Sequence, residues 1–286
     1  MPGPQGSPSE MKGPSDVSPV AETQPGAGRS SRDRALFDRI ASSYARKDLY
    51  EPSRTARIAR LRRTLELGGL APDTDVLEVG CGAGFAARYL EGVCRSYTGI
   101  DYSEALIGYA VKLDAGPGAA FHAADLYEWR PEERYDLIFA IGVLHHMPDI
   151  PRAMTCMLDL LEPGGALVVN EPQPANALFH GLRKVRAVLD SAYSGEQEEL
   201  SESELVGFFR DAGFVDIRTR AQGLLSTPFA EVMLRPRALV RPLSALCCRI
   251  DAWLERRMQR VLRPLAWNVV VAGRRPPAHE SPADVD

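Results

Sequence analysis

Asp75-Val76-Leu77-Glu78-Val79-Gly80-Cys81-Gly82-Ala83-Gly84 is the stretch on which the reading of this chain turns. Val76, Leu77 and Val79 suit a strand buried on both faces, and glycines at alternate positions let the chain bend sharply into a helix. Such a turn brings backbone close to a nucleotide-like ligand, because glycine has no Cβ to hold the ligand away and accepts positive φ. The spacing narrows the ligand further. A dinucleotide fingerprint places its third glycine one residue later, where this chain has Phe85. A pyrophosphate would lose its close approach there, so a ligand without phosphates fits better.

Downstream, Tyr97–Asp101 reads as a second strand that ends in a carboxylate about twenty residues past the first glycine. Two carboxylate oxygens can accept from two vicinal hydroxyls, which suits a ribose. Capping a helix that begins near Ser103 is the other reading of Asp101. Third, fourth and fifth strands are predicted at Ala119–Ala123, Tyr135–Ala140 and Ala166–Asn170, the last entered through the turn Leu161-Glu162-Pro163-Gly164-Gly165. Upstream, Ser31–Leu67 carries two helical stripes, Leu36, Phe37, Ile40 and Tyr44 on one and Ile58, Leu61 and Leu65 on the other. Towards the C-terminus, Ser201-Glu202-Ser203-Glu204 forms a capping box for a helix through Phe209. Sixth and seventh strands are predicted at Gly213–Arg220 and Trp267–Ala272.

The glycine motif, the acids that end the second and third strands, and the Pro-Gly-Gly turn together resemble the class I S-adenosylmethionine-dependent methyltransferases, in their small-molecule and quinone-biosynthesis branch. The resemblance covers residues 33 to 220 and implies an α/β fold: a seven-stranded Rossmann-like sheet, helices on both faces, the last strand antiparallel between the fifth and sixth, and an α-helical lid from insertions. It implies S-adenosylmethionine as cofactor, with the glycine backbone at Gly80, Cys81, Gly82 and Gly84 against its methionine and ribose. Glu78 would anchor it through water or the turn, and Tyr102 would lie beside Asp101. In Ala124-Asp125-Leu126, Asp125 would accept from the adenine amino group while Leu126 packs on the purine face. Ala140 and Ile141 would also flank the cofactor. Phe37 to Tyr44 resembles the family's entry helix, so Tyr44 would help close the site; a core aromatic on an amphipathic helix is the plainer reading.

At 286 residues and 45% hydrophobic, the chain is sized for one α/β domain, 31–275, with insertions at 172–200 and 221–265. Residues 1–30 are rich in Pro, Gly, Ser and charge and are expected to be disordered, as are 276–286. A net charge of −4 and a pI near 5.8 give nucleic acid no global attraction. With no signal-like segment or apolar span in view, a cytoplasmic location is expected. The five cysteines contain no C-x-x-C pair and indicate neither a metal site nor a disulfide framework.

Both insertions follow carboxyl ends of strands, where open α/β sheets bind ligands, and are expected to set acceptor specificity. The second holds eight arginines, among them Arg235, against Glu231, Asp251 and Glu255. It reads as a solvated helix face, as a holder for an anionic acceptor, or as a peripheral contact with an anionic membrane. Self-association is equally open.

Methyl transfer from a sulfonium needs an acceptor atom held in line about 3 Å away and no protein nucleophile. A hydroxyl or acidic carbon also needs a base, and Glu171, His145 and His146 stand at the ends of strands five and four. Packing or capping is the alternative for each histidine, and pairing with a basic side chain for Glu171. The leading acceptor is a small apolar molecule, with two versions. One is a prenyl diphosphate, held by arginines and Mg2+, C-methylated to a carbocation facing Tyr193, Phe208 or Phe209, and deprotonated by Glu171. The other is O- or C-methylation of a phenol or quinone precursor, with a histidine as base. A nicotinamide oxidoreductase and a non-catalytic cofactor-binding module are the competing classes.

Overall fold

The computed structural model describes residues 27–113, 115–174 and 200–278. Helices α1 (Ala27–Leu49) and α2 (Glu51–Gly68) come first, so helix already begins inside the stretch expected to be disordered. Residues 1–26 and 279–286, most of the first insertion and Tyr193 lie outside the described residues. Strand β1 is Asp75–Val79, followed by α3 (Ala87–Leu90), β2 (Ser96–Asp101), α4 (Glu104–Ala110), β3 (Ala119–Ala123) and β4 (Tyr135–Ile141). The order continues with α5 (Ile150–Leu160), β5 (Leu161–Pro172), α6 (Glu202–Asp211), β6 (Val215–Gln222), α7 (Thr227–Glu231), α8 (Arg237–Arg257), α9 (Gln259–Leu262) and β7 (Asn268–Arg274).

The strands form one sheet in the order β3-β2-β1-β4-β5-β7-β6, parallel except for β7, which is antiparallel to both β5 and β6. Alternation along the central strands sends neighbouring residues to opposite faces. Leu77, Ile138 and Leu167 face one core with Met154, Met157 and Phe209, whereas Val76, Leu137 and Val168 face the other with Leu61, Leu65 and Leu90. Both faces are therefore helix-covered, which is why these strands read as continuous apolar runs.

The capping box of α6 forms as its sequence requires, with Ser201 accepting from Glu204 N and the Glu204 carboxylate accepting from Ser201 N. Packing of α6 corrects one expectation. Phe209 is fully buried, its ring 5.0 Å from that of Phe214, and a Cβ on Gly273 would come within 2.7 Å of it. Phe208 packs against the same core. Phe209 ties the helix to β7 and is not available to stack on a carbocation, while Phe208 remains partly exposed.

Helices α7–α9 fill the path from the carboxyl end of β6 to the start of β7, and α8 packs on α2 through Val240, Ser244 and Cys248. No helix among the described residues is long and apolar enough to cross a membrane.

Candidate functional site

Strand order reverses at β1, whose neighbours β2 and β4 lie on either side, and a crevice opens there at the carboxyl ends. It is a cleft open to solvent, with a largely apolar wall that includes Val79, Ile100, Leu126 and Val143. Gly80, Asp101, Tyr102, Asp125 and His146 also line it.

The three glycines all adopt left-handed backbone, with φ of 73°, 55° and 78° at Gly80, Gly82 and Gly84. Crowding by neighbours adds a second reason to lack a side chain at Gly80 and Gly84, while a Cβ at Gly82 would meet only ordinary contact. A Cβ at Gly80 would stand 2.5 Å from Val143 Cγ2, at Gly82 3.5 Å from the Tyr44 ring, and at Gly84 3.0 Å from both Ala110 and Phe121. Close approach to a ligand thus accounts for only part of the motif. The first glycine also admits the loop after β4, and the third admits α4 and β3.

Asp101 ties the glycine turn to the start of α4 and borders the cleft, while the helix cap itself is Ser103. Oδ2 accepts from Gly82 N at 2.9 Å and Oδ1 from Ser103 N at 2.9 Å, while the carboxylate still borders the cleft. Burial raises its pKa, and those two backbone donors oppose the shift. Ser103 caps α4 by accepting from Leu106 N at 3.2 Å. Asp125 is arranged similarly, its Oδ1 accepting from Tyr127 N at 2.9 Å. Each carboxylate uses protein N–H groups to hold its loop and retains accepting capacity on the cleft side.

Other expected cofactor residues lie behind the loop. Glu78 is buried and accepts from the Tyr97 hydroxyl, and burial pushes its pKa up to about 8. It ties β1 to β2. The Cys81 thiol is turned towards Gly99 under the turn, and burial raises its pKa well above the usual thiol value. Ala140 is fully buried and Ile141 packs on the core beneath. Tyr44 does reach the loop, with α1 laid across Gly82.

A residue not singled out from the sequence sits beside it. The Arg57 guanidinium of α2 lies 4.5 Å from the Phe85 ring centroid and 5.8 Å from that of Tyr44, and burial lowers its pKa. This buried cation next to the glycine loop suits the carboxylate end of an amino-acid ligand. Nothing local marks it, because α2 carries arginines on several faces.

The turn after β4 carries both histidines. Glu171, fully buried at the end of β5, accepts from Val143 N at 2.9 Å and Leu144 N at 2.8 Å through Oε1. Its Oε2 lies 2.7 Å from His145 Nδ1, which donates because a carboxylate only accepts. Glu171 thus holds the 3₁₀ turn Leu144–His146 and orients His145; its oxygens are taken up by the protein. His145 is buried, its ring 4.1 Å from that of His146. His146 is the histidine on the cleft wall, edge-on to Phe37 at 5.3 Å. Arg235 is exposed ahead of α8 and is not among the residues lining the cleft.

An apolar slot with two hydrogen-bond-accepting carboxylates on its walls, at the reversal point of a parallel sheet, defines an enzyme that binds a nucleoside-type cofactor. Residues 49–219 match the family model described as "Methyltransferase domain", over half of the chain, and the chain belongs to that family. It is a class I S-adenosylmethionine-dependent methyltransferase. The chain is 26% identical to the ubiquinone biosynthesis O-methyltransferase of Bordetella avium over 193 residues, 63% of this chain and 80% of that enzyme. It is 37% identical to the trans-aconitate 2-methyltransferase of Escherichia coli, but over 99 residues, 34% of this chain and 38% of that enzyme. A crystal structure of an S-adenosylmethionine-dependent methyltransferase of Thermotoga maritima superposes with a TM-score of 0.58 at 19% identity, covering 84% of this chain and 98% of that one.

Proposed function

We propose that the enzyme O-methylates a small, largely apolar acceptor bearing a hydroxyl, such as a phenol or quinone precursor. The observation that carries this reading is the engagement of Glu171 by Val143 N, Leu144 N and His145, with His146 the histidine on the cleft wall. When bound, S-adenosylmethionine supplies an electrophilic methyl group. Asp101 would accept from its ribose hydroxyls and Asp125 from its adenine amino group, with Leu126 on the purine face and Arg57 towards the carboxylate. The apolar wall suits an apolar acceptor, and His146 takes the acceptor hydroxyl proton as that oxygen is methylated. Glu171 and His145 act as positioning residues that hold the turn presenting His146. The first-listed relative's name, an O-methyltransferase of quinone biosynthesis, supports this choice.

The prenyl diphosphate alternative called for a free carboxylate base and stacking aromatics. Glu171 and Phe209 are both committed to the protein interior. No cluster of three or more His, Cys, Asp or Glu side chains able to hold a metal ion occurs among the described residues.

The test is methyl transfer from labelled cofactor to a panel of phenols and to geranyl and farnesyl diphosphate with magnesium. Transfer to phenols is expected, and His146→Ala should lower kcat by roughly 10²- to 10⁴-fold while the cofactor Kd stays within a few-fold. Transfer only to the diphosphates, or an unchanged kcat in His146→Ala, would overturn the reading.

A further inference from the structure

Helix α8 carries an apolar stripe on its outside. Leu239, Leu243, Leu246, Ile250 and Trp253 are 69%, 50%, 52%, 37% and 55% exposed. Their spacing alternates four and three residues, which at 3.6 residues per turn gathers them within about 80° of the helix circumference. The inner face is the opposite one, formed by Val240, Ser244, Cys248, Asp251 and Glu255, all buried. Five large apolar side chains in line on a surface are more than scattered exposure accounts for.

The charges sort in the same way. Asp251 accepts from Leu224 N, Leu225 N and Ser226 N at 3.1, 3.0 and 2.8 Å, and from Ser226 Oγ at 2.6 Å. Glu255 accepts from Gly223 N at 2.9 Å and pairs with Arg63 at 2.8 Å. Just ahead of α8, Glu231 pairs with Arg60 at 2.9 Å. All three acids of the insertion are thus used against the body of the protein. The charged residues that α8 exposes are arginines: Arg237, Arg241, Arg249, Arg256 and Arg257. Of these, Arg237 and Arg241 lie on the α2 side of the helix, Arg237 over the Tyr50 ring at 5.2 Å and Arg241 paired with Glu51 at 3.2 Å, whereas Arg249, Arg256 and Arg257 lie within about 100° of the stripe.

We propose that the outer face of α8 docks the enzyme on an anionic lipid membrane, with Leu239, Leu243, Leu246, Ile250 and Trp253 entering the interface and Arg249, Arg256 and Arg257 meeting phosphate headgroups. The helix would lie flat, about 30 Å long at 1.5 Å per residue. Its four-three spacing also suits a helical partner, and a second copy of this chain is the obvious one. That pairing would set two arginine-bearing faces together with no outward acid on either helix to complement them. Anionic headgroups supply the missing complement. The surface is independent of the acceptor assigned above.

The experiment is co-sedimentation of the full chain with vesicles of phosphatidylcholine alone and of phosphatidylcholine with phosphatidylglycerol, across a salt series, alongside light scattering. Binding to the anionic vesicles is expected, weakening with salt, with a blue shift of tryptophan emission that is lost in Trp253→Phe. Leu246→Glu should reduce partitioning at least tenfold, and Arg249→Glu about fivefold or more. Both residues point outward, so melting temperature and cofactor affinity should be retained. Failure to bind anionic vesicles, equal binding to neutral ones, or unaltered partitioning in Leu246→Glu would overturn the proposal. A dimer that Leu246→Glu dissociates, without vesicle binding by the parent, would instead give the stripe to a second copy.

Discussion

Two pairs of carboxylates close the two ends of the strand-end surface, and they use the same chemistry to different effect. Asp101 and Asp125 hold loops by accepting backbone N–H bonds and border an open cleft. Asp251 and Glu255 also hold a loop by accepting backbone N–H bonds, but α8 seals them in. An acid near a strand end is thus defined as a ligand group by what remains after the protein's own donors are counted. The first pair has capacity left for hydroxyl and amino donors. The second is spent on keeping a helix in place, and its inward commitment leaves the outer face of that helix apolar and cationic.

The comparison is tested most severely at Asp251. Asp251→Ala should destabilise the fold by about 3–5 kcal/mol, since several buried donors lose their acceptor together. Cofactor affinity of the protein that remains folded should hardly change. Urea unfolding with calorimetric titration measures both, and a large loss of affinity with intact stability would put Asp251 in the binding site.

Asp101→Ala should show the reverse bias. Loss of the proposed charge-assisted bonds to a ribose would cost about 2–3 kcal/mol, a roughly thirty- to 150-fold rise in the cofactor Kd. Some stability should also be lost because Gly82 and Ser103 lose their acceptor. Unchanged affinity would erase the distinction between the two pairs.

Glu78 is a third case, a buried strand-end acid that touches neither cleft nor loop and accepts from the Tyr97 hydroxyl. Its pKa is raised by burial to about 8 from an ordinary 4.5. The unfolded chain releases this proton first, so its contribution to stability is complete below about pH 4.5 and is lost as pH rises towards 8. Glu78→Gln should therefore gain on the parent by roughly 1 kcal/mol between about pH 6.5 and 7.5, in the absence of cofactor. A difference in stability that is flat with pH would show Glu78 to be ionised in the folded protein.

The strands, their glycine turn and the acids after β2 and β3 were legible because each depends on neighbours in sequence: alternation along a strand, a turn that needs glycine, an acid at a set distance. Glu171 was legible as a residue at the site but not as a holder of the turn, because its partners lie 26 to 28 residues away on another strand's loop. Phe209 was assigned to the acceptor and Arg57 went unread for a related reason. Helical spacing places a ring or a guanidinium on a face without saying what that face meets.

By itself, then, the sequence determined the class of fold and the cofactor edge, since those follow from local backbone demands and short-range patterning. Tertiary structure alone decided which histidine faces the cleft, which acids have capacity left for a ligand, and that the three acids among the arginines of 221–265 turn inward. The placing of the histidines and of the inward acids rests on pairings across 25 to 192 residues, such as Asp251 with Ser226 and Arg63 with Glu255. A hydrogen bond or ion pair of that span exists only once the sheet has brought its ends together.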